Sequence, residues 1–111
     1  MYISFQTREL REICECSKVA QTILGTSLAH KLQSRLSDVV AAEDFTDLPL
    51  GNPRVECKSS TEYLIINLDK DVTIGFVCGH SKPPYHNNGM IDWAKVIRVK
   101  LMFIGEYNVS Q

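Results

Sequence analysis

Arg98 and Lys100 stand two residues apart in the stretch Val96-Ile97-Arg98-Val99-Lys100-Leu101-Met102-Phe103-Ile104. On a strand, residues two apart point to the same face, so the two cations could bracket one phosphate. Arg54 and Lys58 lie at matching phases of an earlier weakly alternating segment, with Thr73 nearby by alternation. His80 and His86 fall in the loop before the cationic strand, and Tyr107 and Asn108 follow it. An imidazole titrates near neutrality and a phenol can hydrogen-bond a hydroxyl or a leaving oxygen, so such a face has the parts for phosphate binding and proton transfer. The plainer reading of the same cations is a solvated sheet face, since charged side chains are usually exposed. His30 reads as surface, and Trp93 as a packing anchor rather than a stacking platform.

Other chemistries find no support. There is no phosphate-binding P-loop, no dinucleotide glycine fingerprint, no His-Glu-x-x-His and no nucleophile elbow. Cys14 and Cys16 are two apart, so on a helix they point to nearly opposite sides and do not share a metal. The four cysteines read as free thiols in a reducing cytoplasm, packed as small hydrophobes. No metal or cofactor is implied. The 12 basic and 13 acidic residues leave a net charge of −1, unlike a dedicated nucleic-acid binder. No apolar run is long enough to span a membrane, and the first residues do not read as a signal peptide.

The elements that must position these residues are legible from pattern. Residues 1–111 read as one domain. Met1 to Phe5 reads as a short strand. Thr7 caps a helix that carries Leu10, Ile13, Cys14, Ala20 and Leu24, with slippage near Ser17, and Gly25 ends it. A second helix shows Leu28, Leu32, Leu36 and Val39-Val40, the clearest helical period in the chain. With about two residues between them, the helices form an antiparallel hairpin. The connector from Glu43 to Pro53 is rich in structure breakers. Arg54–Lys58, Glu62–Leu68 and Val72–Cys78 read as strands, the last two as a hairpin around Asp69-Lys70-Asp71. A long loop, Gly79 to Asp92, precedes a final strand from Lys95 to Gly105. In that strand Ile97, Val99, Leu101 and Phe103 are expected to face the helices, and Val96, Arg98, Lys100, Met102 and Ile104 to face away. The fold class is therefore α+β: an N-terminal strand and a helical hairpin on one face of a mostly antiparallel sheet of three to four strands.

The chain resembles the RelE/ParE-like toxins of bacterial toxin–antitoxin pairs, and among them the HigB-type plasmid maintenance killer branch. The residues that carry the resemblance are Arg8-Glu9-Leu10-Arg11 with Cys14-Glu15, Gly25, Leu32-Gln33-Ser34-Arg35-Leu36-Ser37-Asp38 with Ala41-Ala42, and Leu48-Pro49-Leu50-Gly51-Asn52-Pro53-Arg54. Tyr63, Val72 to Phe76, His80, Gly89-Met90-Ile91-Asp92-Trp93 and Glu106-Tyr107 complete the series. The resemblance implies a cytoplasmic toxin that cleaves mRNA on the ribosome without a metal and is neutralised by a helix-turn-helix antitoxin. On the enzyme reading the candidate catalytic groups in this sequence are His80, Tyr107 and Arg98, with Arg54, Lys58 and Lys100 on RNA phosphates. The sequence departs from the family where Thr73 and Val77 replace usual basic residues and where Asn108 replaces a usual histidine. These departures keep a second reading open: a non-catalytic relative that grips an antitoxin, or a target such as gyrase, with the same scaffold.

Overall fold

A computed structural model describes residues 1–105. The element order is β1 (Tyr2–Phe5), α1 (Arg8–Glu15), α2 (Ser17–Leu24), α3 (Thr26–Ala41), β2 (Arg54–Lys58), β3 (Thr61–Asp69), β4 (Val72–Cys78) and β5 (Arg98–Gly105). Short 3₁₀ turns occupy Phe45–Asp47 and Trp93–Lys95. The architecture is α+β, with three helices on one face of a five-stranded mixed sheet. Strand order is β1-β5-β4-β3-β2. All neighbours are antiparallel except β1 and β5.

Two counts differ from the sequence expectation. The sheet has five strands rather than three to four, because β1 joins its edge in parallel to β5, with Tyr2 opposite Arg98 and Phe5 opposite Leu101. The first helix is two helices. Cys16 takes extended dihedrals (φ −116°, ψ 110°) and breaks the run. Cys14 and Ala20 are six residues apart, about 240° around an unbroken helix. With the break between them, both residues are buried, Cys14 in the main core and Ala20 outside that cluster. Cys14's carbonyl, at the end of α1, accepts a 2.7 Å hydrogen bond from Gln33 Nε2 of α3. Thr7 caps α1 as expected, its hydroxyl accepting from Leu10 N–H at 3.2 Å.

The core lies between the helices and the sheet. Leu32, Leu36 and Val39 of α3 pack with Leu64, Ile66, Ile74, Phe76, Val99 and Leu101. Trp93 and Val96 join them, so Trp93 is the packing anchor its position suggested. The final strand departs from simple alternation at both ends. Trp93–Lys95 is a 3₁₀ turn, which turns Val96 into the core and leaves Ile97 45% exposed. Further on, β4 and β5 slip register: Phe76 faces Leu101, and Gly75 faces Phe103. The bulge inserts Met102 and reverses the phase after it. Ile104 therefore packs toward the helices, and Phe103 lies on the opposite face above Gly75. A Cβ at Gly75 would overlap the Phe103 ring, so only glycine leaves the ring room.

Burial sets the reactivity of the thiols. Cys14 is raised from an ordinary 9.0 to about 12, first by burial and then by the neighbouring Glu15 carboxylate. Cys16 and Cys57 are exposed. At neutral pH, iodoacetamide should label Cys16 and Cys57 within minutes and leave Cys14 unmodified until denaturant is added, as read by peptide mass spectrometry. The sign of the pH effect follows: the unfolded thiol ionises first, so stability from this group is full below about 9 and lost as pH rises toward 12.

Candidate functional site

The face of the sheet opposite the helices carries the cations. Alternation and register place Tyr2 and Ser4 of β1, Arg98 and Lys100 of β5, and Thr73, Gly75 and Val77 of β4 on it. Tyr63, Ile65 and Asn67 of β3 and Arg54, Glu56 and Lys58 of β2 complete it. No described helix packs there. The expected phosphate-binding residues thus share one face, but not one spot. Arg98 and Lys100 are on β5, and Arg54 and Lys58 on β2, three strand spacings away. At about 4.8 Å per strand that is roughly 14 Å. The face has two cationic margins rather than one cluster.

Between the margins runs an apolar and aromatic strip. Tyr63 and Phe103 meet edge to face, with centroids 6.2 Å apart. Val77 lies beside Lys100 in register, and Ile65 and Gly75 fill the floor. Sequence reasoning missed this strip. Phe103 is on it only because of the bulge, which leaves no signal in the residue pattern. Tyr2 was within reach, because the alternation Tyr2-Ile3-Ser4-Phe5 already separates it from Ile3 and Phe5.

The two margins differ in electrostatics. Arg54 is already engaged: its Nη1 donates to Asn67 Oδ1 at 3.1 Å and to the Asn52 carbonyl at 3.0 Å, and its Nε is 3.5 Å from Glu56 Oε1. Lys58 also has a partner. Arg98 stacks over the Tyr2 ring at 5.0 Å, which leaves its guanidinium edge open to an anion. Neither Arg98 nor Lys100 has a carboxylate partner among the described residues. The β5 margin is therefore the one with cationic capacity to spare.

The expected proton-transfer groups are distributed differently. His80 Nε2 accepts from the backbone N–H groups of Ile97 (3.0 Å) and Arg98 (3.2 Å). That lone pair is occupied in pinning the start of β5, and Nδ1 has no partner among the described residues. His86 is elsewhere, on a small hairpin closed by the Tyr85–Ile91 bridge, with Nε2 at 3.6 Å from Asp92 Oδ1. Thr73 spends its hydroxyl on the Gly105 carbonyl at 3.0 Å. Glu106, Tyr107 and Asn108 lie outside the described residues. No group of three or more His, Cys, Asp or Glu among the described residues is placed to hold a metal ion. No described helix is long and apolar enough to cross a membrane.

No family model, curated protein or solved structure matches this chain.

Proposed function

We propose that this chain is the toxin of a type II toxin–antitoxin pair and acts on mRNA at the ribosome through the open face of its sheet. The observation that carries the reading is the Arg98–Lys100 pair, without a carboxylate partner among the described residues, beside the Tyr63–Phe103 strip. Single-stranded RNA is held by cations that track its backbone and by flat apolar surfaces under its bases. The open face offers both, on strands rigid enough to fix their spacing. The net charge of −1 gives little affinity for RNA, so on this reading cleavage should be weak and should need the ribosome. The element order of the resemblance, strand then helices then a mostly antiparallel sheet, agrees with this architecture. A helix-turn-helix antitoxin is the expected partner, and no cofactor is required.

A specific observation favours the non-catalytic reading as the second. His80 Nε2 and the Thr73 hydroxyl are both committed to backbone groups, which leaves the described face short of acid–base groups. General acid–base catalysis is typically worth ~10²–10⁴-fold, so a nuclease built on this face would rely on Tyr107 or on ribosomal groups.

The test is induced expression together with cleavage of a reporter mRNA in a translation extract. Wild type should arrest growth and cut the message only when ribosomes are present. Arg98→Ala combined with Lys100→Ala should lower the rate roughly 100-fold, from two lost charge-assisted contacts at about 1.5 kcal/mol each. Growth arrest without cleavage would move the assignment to the protein-binding reading. Expression with no effect on growth or translation would overturn both.

A further inference from the structure

β1 is an edge strand, and its backbone is half unused. Tyr2 N–H donates to the Ile97 carbonyl at 2.8 Å, and Gln6 N–H to the Leu101 carbonyl at 2.9 Å. In a parallel ladder the N–H and C=O of one residue point to the same side. Tyr2, Ser4 and Gln6 therefore address β5, while Ile3 and Phe5 direct their N–H and C=O groups outward. Those outward groups have no partner among the described residues. Edges are commonly blunted by proline, lysine or a bulge, and Tyr2–Phe5 has none of these. The surroundings are apolar. A groove of about 540 Å³ runs along β1, lined by Met1, Ile3, Phe5, Leu36 and Val40 among others. Tyr2, Val40 and Ile97 are 66%, 62% and 45% exposed beside it.

On the helix side of the sheet, charge distinguishes the two ends of this edge; Arg98, stacked over Tyr2, lies on the open face. Glu43 stands at the Tyr2 end, next to Val40 and Ile97. Arg8 stands at the Phe5 end, next to Gln6 and Thr7. Neither has an ion-pair partner among the described residues. We propose that β1 pairs with β1 of a second copy of this chain, antiparallel about a two-fold axis at Ser4.

Several features converge on that register. Ile3 of each copy faces Phe5 of the other, which are the residues whose backbone groups point outward, so four hydrogen bonds form across the axis. Ser4 faces Ser4 as a non-hydrogen-bonded pair, where a small side chain fits. The reversal of direction brings Glu43 of each copy toward Arg8 of the other. A surface with opposite charges at its two ends is complementary to itself under a two-fold rotation, as an isologous interface requires. A strand from another protein would satisfy the backbone but has no reason to match both ends. Four residues of strand are too small for a stable interface of ~1,200–2,000 Å², so Tyr2, Val40 and Ile97 must close over the joint. The result is one continuous ten-stranded sheet whose cationic face stays open.

The test uses the whole chain with Cys16→Ser and Cys57→Ser to silence the exposed thiols. Ser4→Cys in that background places two thiols across a non-hydrogen-bonded pair with Cα atoms about 4.5 Å apart, within disulfide reach. Mild oxidation should give a covalent dimer, absent when Ser4 is intact. By sedimentation, wild type should show a concentration-dependent monomer–dimer equilibrium. Glu43→Arg should weaken it about tenfold, and adding Arg8→Glu should restore it. All these positions are exposed, so the variants should keep the wild-type circular dichroism. A wild type that stays monomeric up to millimolar concentration overturns the proposal. So does a dimer that neither cross-links through residue 4 nor responds to Glu43→Arg.

Discussion

Phe76→Ala should lower folding stability by about 3–5 kcal/mol, read as a fall in the chemical denaturation midpoint with an unchanged slope. The ring sits in the middle of β4 with no solvent exposure, opposite Leu64 on one side and Leu101 on the other. It therefore touches both neighbouring strands on the face that meets α3, where Leu32 is also fully buried. Removing it takes away the transfer free energy of a large side chain and leaves a cavity that two hydrogen-bonded strands cannot collapse around. Domains of this size are stable by only ~5–15 kcal/mol, so the variant should be close to unfolding at room temperature. Val77→Ala, one residue further on, is the control. Val77 points to the open face, and its truncation should cost less than about 1 kcal/mol. Equal losses at the two positions would mean that the open face is covered by something as well packed as the helices.

The part of this architecture that could be read beforehand is the part governed by simple periodicity. Leu32, Leu36 and Val39 repeat at helical spacing and are buried, and Ile74 and Phe76 alternate with open-face residues as a strand requires. The layout of helices on one face of a mostly antiparallel sheet followed from those patterns. What could not be read was the structural outcome where the period is interrupted. Slippage near Ser17 was visible, but no proline or glycine announced that the helix stops at Cys16 and a second begins at Ser17. The bulge at Met102 moves Phe103 out of the core and Ile104 toward it. Its cause is a pairing between strands twenty-odd residues apart in sequence, and such pairing leaves no local signature. The parallel placement of β1 is non-local in the same sense.

For the site, the cations were legible one by one and their grouping was not. Alternation sufficed to put Arg54, Lys58, Arg98 and Lys100 on one face. Strand order decides which are neighbours, and it sends Arg54 and Lys58 to the far edge. Partners decide which are available. Arg54 is held by Asn67 and Glu56, whereas Arg98 rests on an aromatic ring. His80 illustrates the limit most clearly. Its type and loop position suggest proton transfer, yet its Nε2 is a hydrogen-bond acceptor for two consecutive backbone N–H groups where β5 begins.

The loop between β4 and β5 owes its position to a residue that carries no motif. Glu62, on β3, accepts from Ile91 N–H at 2.8 Å through Oε2 and from Trp93 Nε1 at 3.2 Å through Oε1. One carboxylate thus ties down Ile91 and Trp93 just before the turn that feeds Val96 into the core. Hydrogen bonds to a charged group are worth ~1.5–3 kcal/mol, and an orphaned indole or backbone donor adds its own desolvation cost. Glu62→Ala should therefore lose about 3–4 kcal/mol in denaturation, as much as a core truncation although the side chain is only half-buried. Glu62→Gln separates charge from geometry. Its amide keeps one acceptor oxygen but turns an NH₂ group toward the second donor, so it should recover less than half of that loss. Hydrogen exchange locates the effect: the Ile91 amide and the Trp93 indole N–H should lose protection in Glu62→Ala before the amides of Phe76 and Leu101 do. If those two N–H groups stay as protected as in wild type, Trp93 is anchored by packing alone. The start of β5, with Arg98 beside it, would then not depend on Glu62 for its position.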